Sequence, residues 1–256
     1  MRIRKGTLFG LVFLAALVLA VGYLNRVTVG DTLRAFTAPR LPTALPRTTP
    51  TPLARSSSTA MPTATPRPTA INLSVPFTSQ APFGVWDTDH EEFCEEAAVL
   101  MAVSYLSGDT SITDPSVAES DLQSIKSWEL ATFGFFEDTT AAQTARIVAD
   151  KYNVTAVRLA YNPTADQLKT WLAQRRVIIV PSAGRMLGNP NFTGVGPLYH
   201  MVVLKGYTAG GQFITNDPGT RRGADYLYPE DVIMNAMHDW NGGDVNQGAK
   251  VVIIIG

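Results

Sequence analysis

The sequence predicts an α+β domain held behind a single transmembrane helix and a disordered Pro/Thr-rich stalk. Three observations carry this. An uncharged apolar run fills residues 8–24, and a proline-rich stretch follows it. From Ile71 onward helical patterning comes first, and β-branched runs dominate the C-terminal half.

Leu8 to Leu24 contains seventeen residues and no charge. That is the lower limit for crossing a bilayer core, which takes roughly 17–25 residues. Arg2, Arg4 and Lys5 precede it. They place residues 1–7 in the cytoplasm and the remainder outside, a single-pass arrangement in the cell membrane with the C-terminal domain extracytoplasmic. Ala20-Val21-Gly22 also offers a signal-peptidase site, and cleavage there would secrete the domain. The apolar run continues past that triplet through Leu24, which favours an uncleaved anchor.

Residues 25–70 read as a linker. Pro39, Pro42, Pro46, Pro50, Pro52, Pro62, Pro66 and Pro68 fall in its Pro/Thr/Ser-rich part. Proline lacks the amide donor and fixes φ, so an extended stalk is expected, rising about 3.1 Å per residue. The first seventy residues carry nine Lys or Arg and one acid, while the rest carry twelve and twenty-one. An acidic body argues against nucleic acid as a partner, because phosphate contacts need clustered Lys and Arg.

Residues 71–256 are long enough for one core. Ile71 to Phe77 reads as a strand. Glu91 to Leu106 reads as a helix with Asp89 and Glu92 as a capping box. Thr139 to Tyr152 and Thr164 to Arg175 read as two further helices. Val177 to Val180, His200 to Tyr207, Gln212 to Asn216 and Val251 to Ile255 read as strands.

Cys94 is the single cysteine, so no disulfide closes within the chain. An idle thiol outside the cell is a liability, and the start of a helix favours a thiolate. Glu91, Glu92, Glu95 and Glu96 surround it, and they are expected to face solvent. Of His90, His200 and His238, His200 is the candidate partner, because it opens an apolar strand. If Thr208 to Gly211 form a symmetric turn, Tyr207 pairs with Gln212 and residue 200 lies opposite 219. Asp217 is then the diagonal neighbour of His200 on one face, roughly 7–8 Å away between Cα atoms. An odd loop or a bulge breaks that geometry. A thiol, an imidazole and a carboxylate make the nucleophile, base and orienter of acyl transfer. Gln80 is the candidate side-chain donor to an oxyanion, joined by the Cys94 backbone amide. Three scattered histidines, no two at ligand spacing, argue against a zinc site, and the sequence holds no Gly-rich phosphate loop of recognised spacing. No metal or organic cofactor is expected.

Val75-Pro76-Phe77-Thr78-Ser79-Gln80, then Cys94 opening a helix, then Tyr199 to Tyr207, then Asn216-Asp217-Pro218 resemble the double-glycine (bacteriocin-leader) peptidase-like group of papain-like cysteine peptidases. Leu168 to Val180 resembles that group's helix leading into a core strand. The resemblance implies a papain-like cysteine peptidase fold with Cys94 as nucleophile, His200 as base, Asp217 as orienting acid and Gln80 in the oxyanion hole. One departure stands out: the family often has Gly-Pro after the cysteine, where this chain has Glu95-Glu96. The expectation is a membrane-anchored hydrolase acting on a peptide or protein substrate. The rivals are a catalytically silent binding module for peptides or envelope components, and a thioester-forming acyltransferase.

Overall fold

The computed structural model describes residues 40–47 and 66–256. The expected anchor at residues 8–24 lies outside them. Among the described residues no helix is long and apolar enough to cross a membrane.

Seven strands form one antiparallel sheet: β1 (Ile71–Asn72), β2 (Val157–Tyr161), β3 (Val177–Ala183), β4 (Tyr199–Tyr207), β5 (Gln212–Asn216), β6 (Tyr226–Pro229) and β7 (Val251–Ile255). Their order is β2-β7-β3-β4-β5-β6, and β1 pairs with the end of β4. Every residue of β3, β4 and β7 is buried, so these central strands read as continuous apolar runs rather than alternating ones. Gly206 permits the β1 contact, since a Cβ there would lie 2.1 Å from the Ile71 carbonyl oxygen.

Among the described residues five α-helices accompany the sheet: α1 (Cys94–Ser107), α2 (Pro115–Thr132), α3 (Ala141–Arg146), α4 (Ala165–Ala173) and α5 (Glu230–Ala236). Helices α1 and α4 both pack on β3 and β4. Helix α1 is buried from Cys94 through Tyr105. It runs through the core and presents no solvent face over that span. Thr140 and Thr164 start α3 and α4 with complete capping boxes, using Gln143 and Gln167.

The α+β expectation stands, and several details change. Helix α1 begins at Cys94, not Glu91. Asp89 and Glu92 make a backbone turn there, and the Asp89 side chain pairs with Lys126 instead of capping. The helix expected over 139–152 is α3 followed by a π turn, Ile147–Lys151. The first strand is two residues long. Helix α2, strands β2 and β6, and helix α5 were not anticipated.

Part of the expected stalk also belongs to the domain. Leu45 bridges Leu73 in parallel, with bonds from Leu45 N to the Asn72 carbonyl (2.7 Å) and from Ser74 N to the Leu45 carbonyl (2.9 Å). Arg47 donates to the Leu106 carbonyl, and Arg67 pairs with Asp166. A proline-rich composition removes donors from a segment but leaves its carbonyls and side chains able to dock.

Candidate active site

Strand β4 places His200, and strand β5 leads directly into Asp217. The hairpin between them departs from the symmetric turn in two ways. Tyr207 pairs with Phe213, so five residues lie between the paired positions rather than four. The register then shifts between Leu204 and Gly206, which makes Lys205 the extra residue of a bulge. The two shifts cancel. Val203 pairs with Asn216, the register expected from the sequence, and its continuation sets Gly219 opposite His200. A Cβ on Gly219 would lie 2.8 Å from the His200 ring carbon Cε1, so only glycine fits beneath the ring.

His200 Nε2 meets Asp217 Oδ1 at 2.8 Å, and both side chains are buried. Asp217 Oδ1 also accepts from the Gly219 amide at 3.0 Å. Its Oδ2 accepts from the Tyr228 hydroxyl at 2.6 Å and from Asn189 Nδ2 at 2.9 Å. Burial by itself raises this carboxyl. The His200 charge and the bonds from His200, Tyr228 and Asn189 outweigh it, leaving Asp217 below its ordinary range. Phe192 packs edge-on against the imidazole, with ring centroids 5.3 Å apart. The Asp217 contact leaves Nδ1 as the ring nitrogen available to a nucleophile.

Cys94, His200 and Gln80 line one cleft of about 1220 Å³. Asp217 sits behind the ring and off the cleft wall. The other two histidines are engaged elsewhere. His90 is held between Asp87 (2.6 Å) and Glu119 (2.8 Å), and His238 Nδ1 lies 2.8 Å from the Gly248 carbonyl oxygen.

Two expectations about the site need correction. Glu95 and Glu96 are 1% and 0% exposed, not solvent-facing. Helix α1 is enclosed on all sides, so its first turn has no outer face to give them. The Cys94 thiol donates to Glu95 Oε2 at 2.8 Å. Burial and the adjacent Glu95 charge push the thiol well above its ordinary range, against the thiolate expected at a helix start. Glu95 is itself raised by burial. Burial and the nearby Glu129 of α2 raise Glu96 well above its ordinary range. Burial pushes Glu129 up to about 8.

The second correction concerns Gln80. It reaches the cleft wall, but its Nε2 donates to the carbonyls of His90 (2.8 Å) and Glu91 (3.1 Å). Those two bonds use both amide hydrogens and leave Oε1 without a donor. In this arrangement Gln80 ties down the loop before α1.

Sequence reasoning missed Asn189 and Tyr228. Asn189 follows the 3-10 turn Gly184–Leu187, and Tyr228 lies on the strand after the acid. Tyr228 carried a signal: a tyrosine two strands from an imidazole brings a hydroxyl that needs a buried acceptor.

A family model described as the Peptidase_C39 like family matches residues 72–242. A solved C39-like peptidase structure from Bacillus anthracis is 15% identical, covering 72% of this chain and 95% of that chain, with a TM-score of 0.47. No curated protein matches the chain. The matched span takes in the strand before Gln80, the Cys94 helix and the His200–Asp217 hairpin, and the chain belongs to this C39-like family of papain-like cysteine peptidases.

Proposed function

We propose that this chain is a membrane-anchored, extracytoplasmic cysteine hydrolase that cleaves peptide or amide bonds through Cys94, His200 and Asp217. One observation carries the reading. A buried imidazole is oriented by a fully bonded carboxylate, on the wall of the cleft that also holds the single thiol. The anchor rests on the apolar run at residues 8–24 and the basic residues before it.

In this mechanism Cys94 Sγ attacks a substrate carbonyl while His200 Nδ1 takes the thiol proton. Asp217 keeps the ring in place and stabilises its positive charge. The oxyanion is met by the Cys94 backbone amide. His200 then returns the proton to the leaving amine. Water, deprotonated by the same imidazole, resolves the thioester and frees the acid. Because the resting thiol is protonated, His200 acts as a general base during attack and not as half of a preformed ion pair.

The test is hydrolysis of a mixed peptide library by the whole chain in detergent, followed by mass spectrometry. Cleavage by the native chain is expected, with a loss on the order of 10³-fold or more in Cys94→Ala and His200→Ala. Cleavage that survives Cys94→Ala overturns the reading. A second reading, a silent binding module, is favoured by the Cys94–Glu95 bond, which opposes thiolate formation. Binding of library peptides without cleavage by the native chain would select it.

A further inference from the structure

The hydrolase reading gives Glu95 no task, although this carboxylate is the group nearest the nucleophile's proton. We infer that Glu95 is a positioning residue that holds the Cys94 proton in the ligand-free site, so that the nucleophile rests as a thiol and yields its proton only to His200 during attack. The inference rests on the hydrolase reading for its effect on turnover. The bond between the two side chains stands by itself.

The geometry is specific. The thiol donates to Glu95 Oε2 at 2.8 Å, both residues are at least nine-tenths buried, and Glu95 Oε1 has no donor of its own. Glu96 from the same helix, Glu129 from α2 and Asp138 from the loop before α3 face this pair with further carboxyls. Tyr199 and His200 face it from β4. A thiolate formed here would stand beside a carboxylate in a buried, acid-rich space, where like charges repel most strongly. On attack the S–H bond breaks, the S–C bond forms, and the proton moves to His200 Nδ1. Glu95 takes no proton in this step and loses only the thiol's hydrogen bond.

The arrangement suits a thiol facing an oxidising compartment. Peroxide attacks the thiolate, so a nucleophile kept protonated resists oxidation to sulfenic acid. The latch therefore trades resting reactivity for survival of the thiol.

The experiment measures iodoacetamide labelling of Cys94 across pH by intact mass, on the whole chain in detergent. Native, Glu95→Gln, His200→Ala and the double variant are compared. Glu95→Gln keeps the shape and removes the charge, so its labelling midpoint should fall by about one pH unit or more. Below both midpoints, and above the pH at which Glu95 ionises, that is roughly a tenfold faster rate. Glu95→Asp, which keeps the charge, should stay near the native midpoint. A Glu95→Gln midpoint equal to the native one overturns the inference. If labelling of Glu95→Gln is unaffected by adding His200→Ala, the hydrolase reading fails while the role of Glu95 stands. Should Glu95→Gln fail to fold, the S–H infrared band of the native chain decides, with Cys94→Ser identifying it. The band should shift as acidification protonates Glu95, and a band that does not move refutes the latch.

Discussion

Asp217 and the trio Glu95, Glu96 and Glu129 are all carboxyls sealed inside the same domain, yet they hold opposite protonation tendencies. Asp217 is enclosed by four donors from four places in the chain: His200, Gly219, Tyr228 and Asn189. It stays ionised below the usual range. The trio faces mainly other acids. Five of the six oxygens of Glu95, Glu96 and Glu129 receive no donor, and the sixth, Glu95 Oε2, accepts the Cys94 thiol. Those carboxyls are raised. Burial is common to both regions, so it cannot be what separates them. The number and sign of the enclosing groups decide.

The largest effect should come from breaking the satisfied region. Asp217→Ala leaves the imidazole, the Asn189 amide and the Tyr228 hydroxyl buried without their acceptor. Loss of one partner of a buried pair costs about 3–5 kcal/mol, read from the denaturant midpoint. A loss below about 1 kcal/mol would show that the four donors find other acceptors, and the contrast between the regions would weaken.

The acid-rich region should reveal itself through pH. Glu129 titrates near 8 in the folded chain, above its ordinary value of 4.5. The folded state then binds more protons than the unfolded one between those values. Its contribution is complete below about 4.5 and fades as pH rises through about 8. Asp217 has the reverse sign: its contribution holds above the ordinary value of 3.8 and fades as pH falls through its lower folded value. Glu129→Gln should flatten the loss of stability between pH 5 and 8 by roughly 1–3 kcal/mol. A native chain whose stability is level across that window would remove the distinction.

A smaller effect sharpens the account of Asp217. Tyr228→Phe deletes one donor of four, so the remaining bonds should still hold the carboxylate ionised. The expected cost is about 1.5–3 kcal/mol, with the acid limb of the stability profile moving to higher pH.

Legibility from sequence follows the same division. The His200–Asp217 pairing was readable because strand periodicity and one turn signal fix a face. It survived an odd loop only because the Lys205 bulge restores the parity. Helix α2 was missed despite Asp114 accepting from Ser116 N and Pro115 at the first helical position. Its buried stripe is Ala118, Leu122, Ile125 and Glu129, and a carboxylate in the last place breaks the apolar pattern. Glu95 and Glu96 were placed in solvent for the related reason that a buried carboxyl with a raised proton affinity looks, in one-letter code, like a surface charge. Asn189 and Tyr228 converge on Asp217 from distant segments, and no local spacing marks such convergence.

The cancelling pair of irregularities in the β4–β5 hairpin has a consequence for how such chains diverge. Straightening the strand at Lys205 while Tyr207 stays paired with Phe213 would set Val203 opposite Asp217 and turn the carboxylate away from His200. Closing the hairpin at Tyr207 and Gln212 at the same time would bring it back beneath the imidazole. Turn length and bulge therefore behave as one inherited character. Among descendants of this sequence that keep the imidazole–carboxylate pair, the two should be gained and lost in a single step.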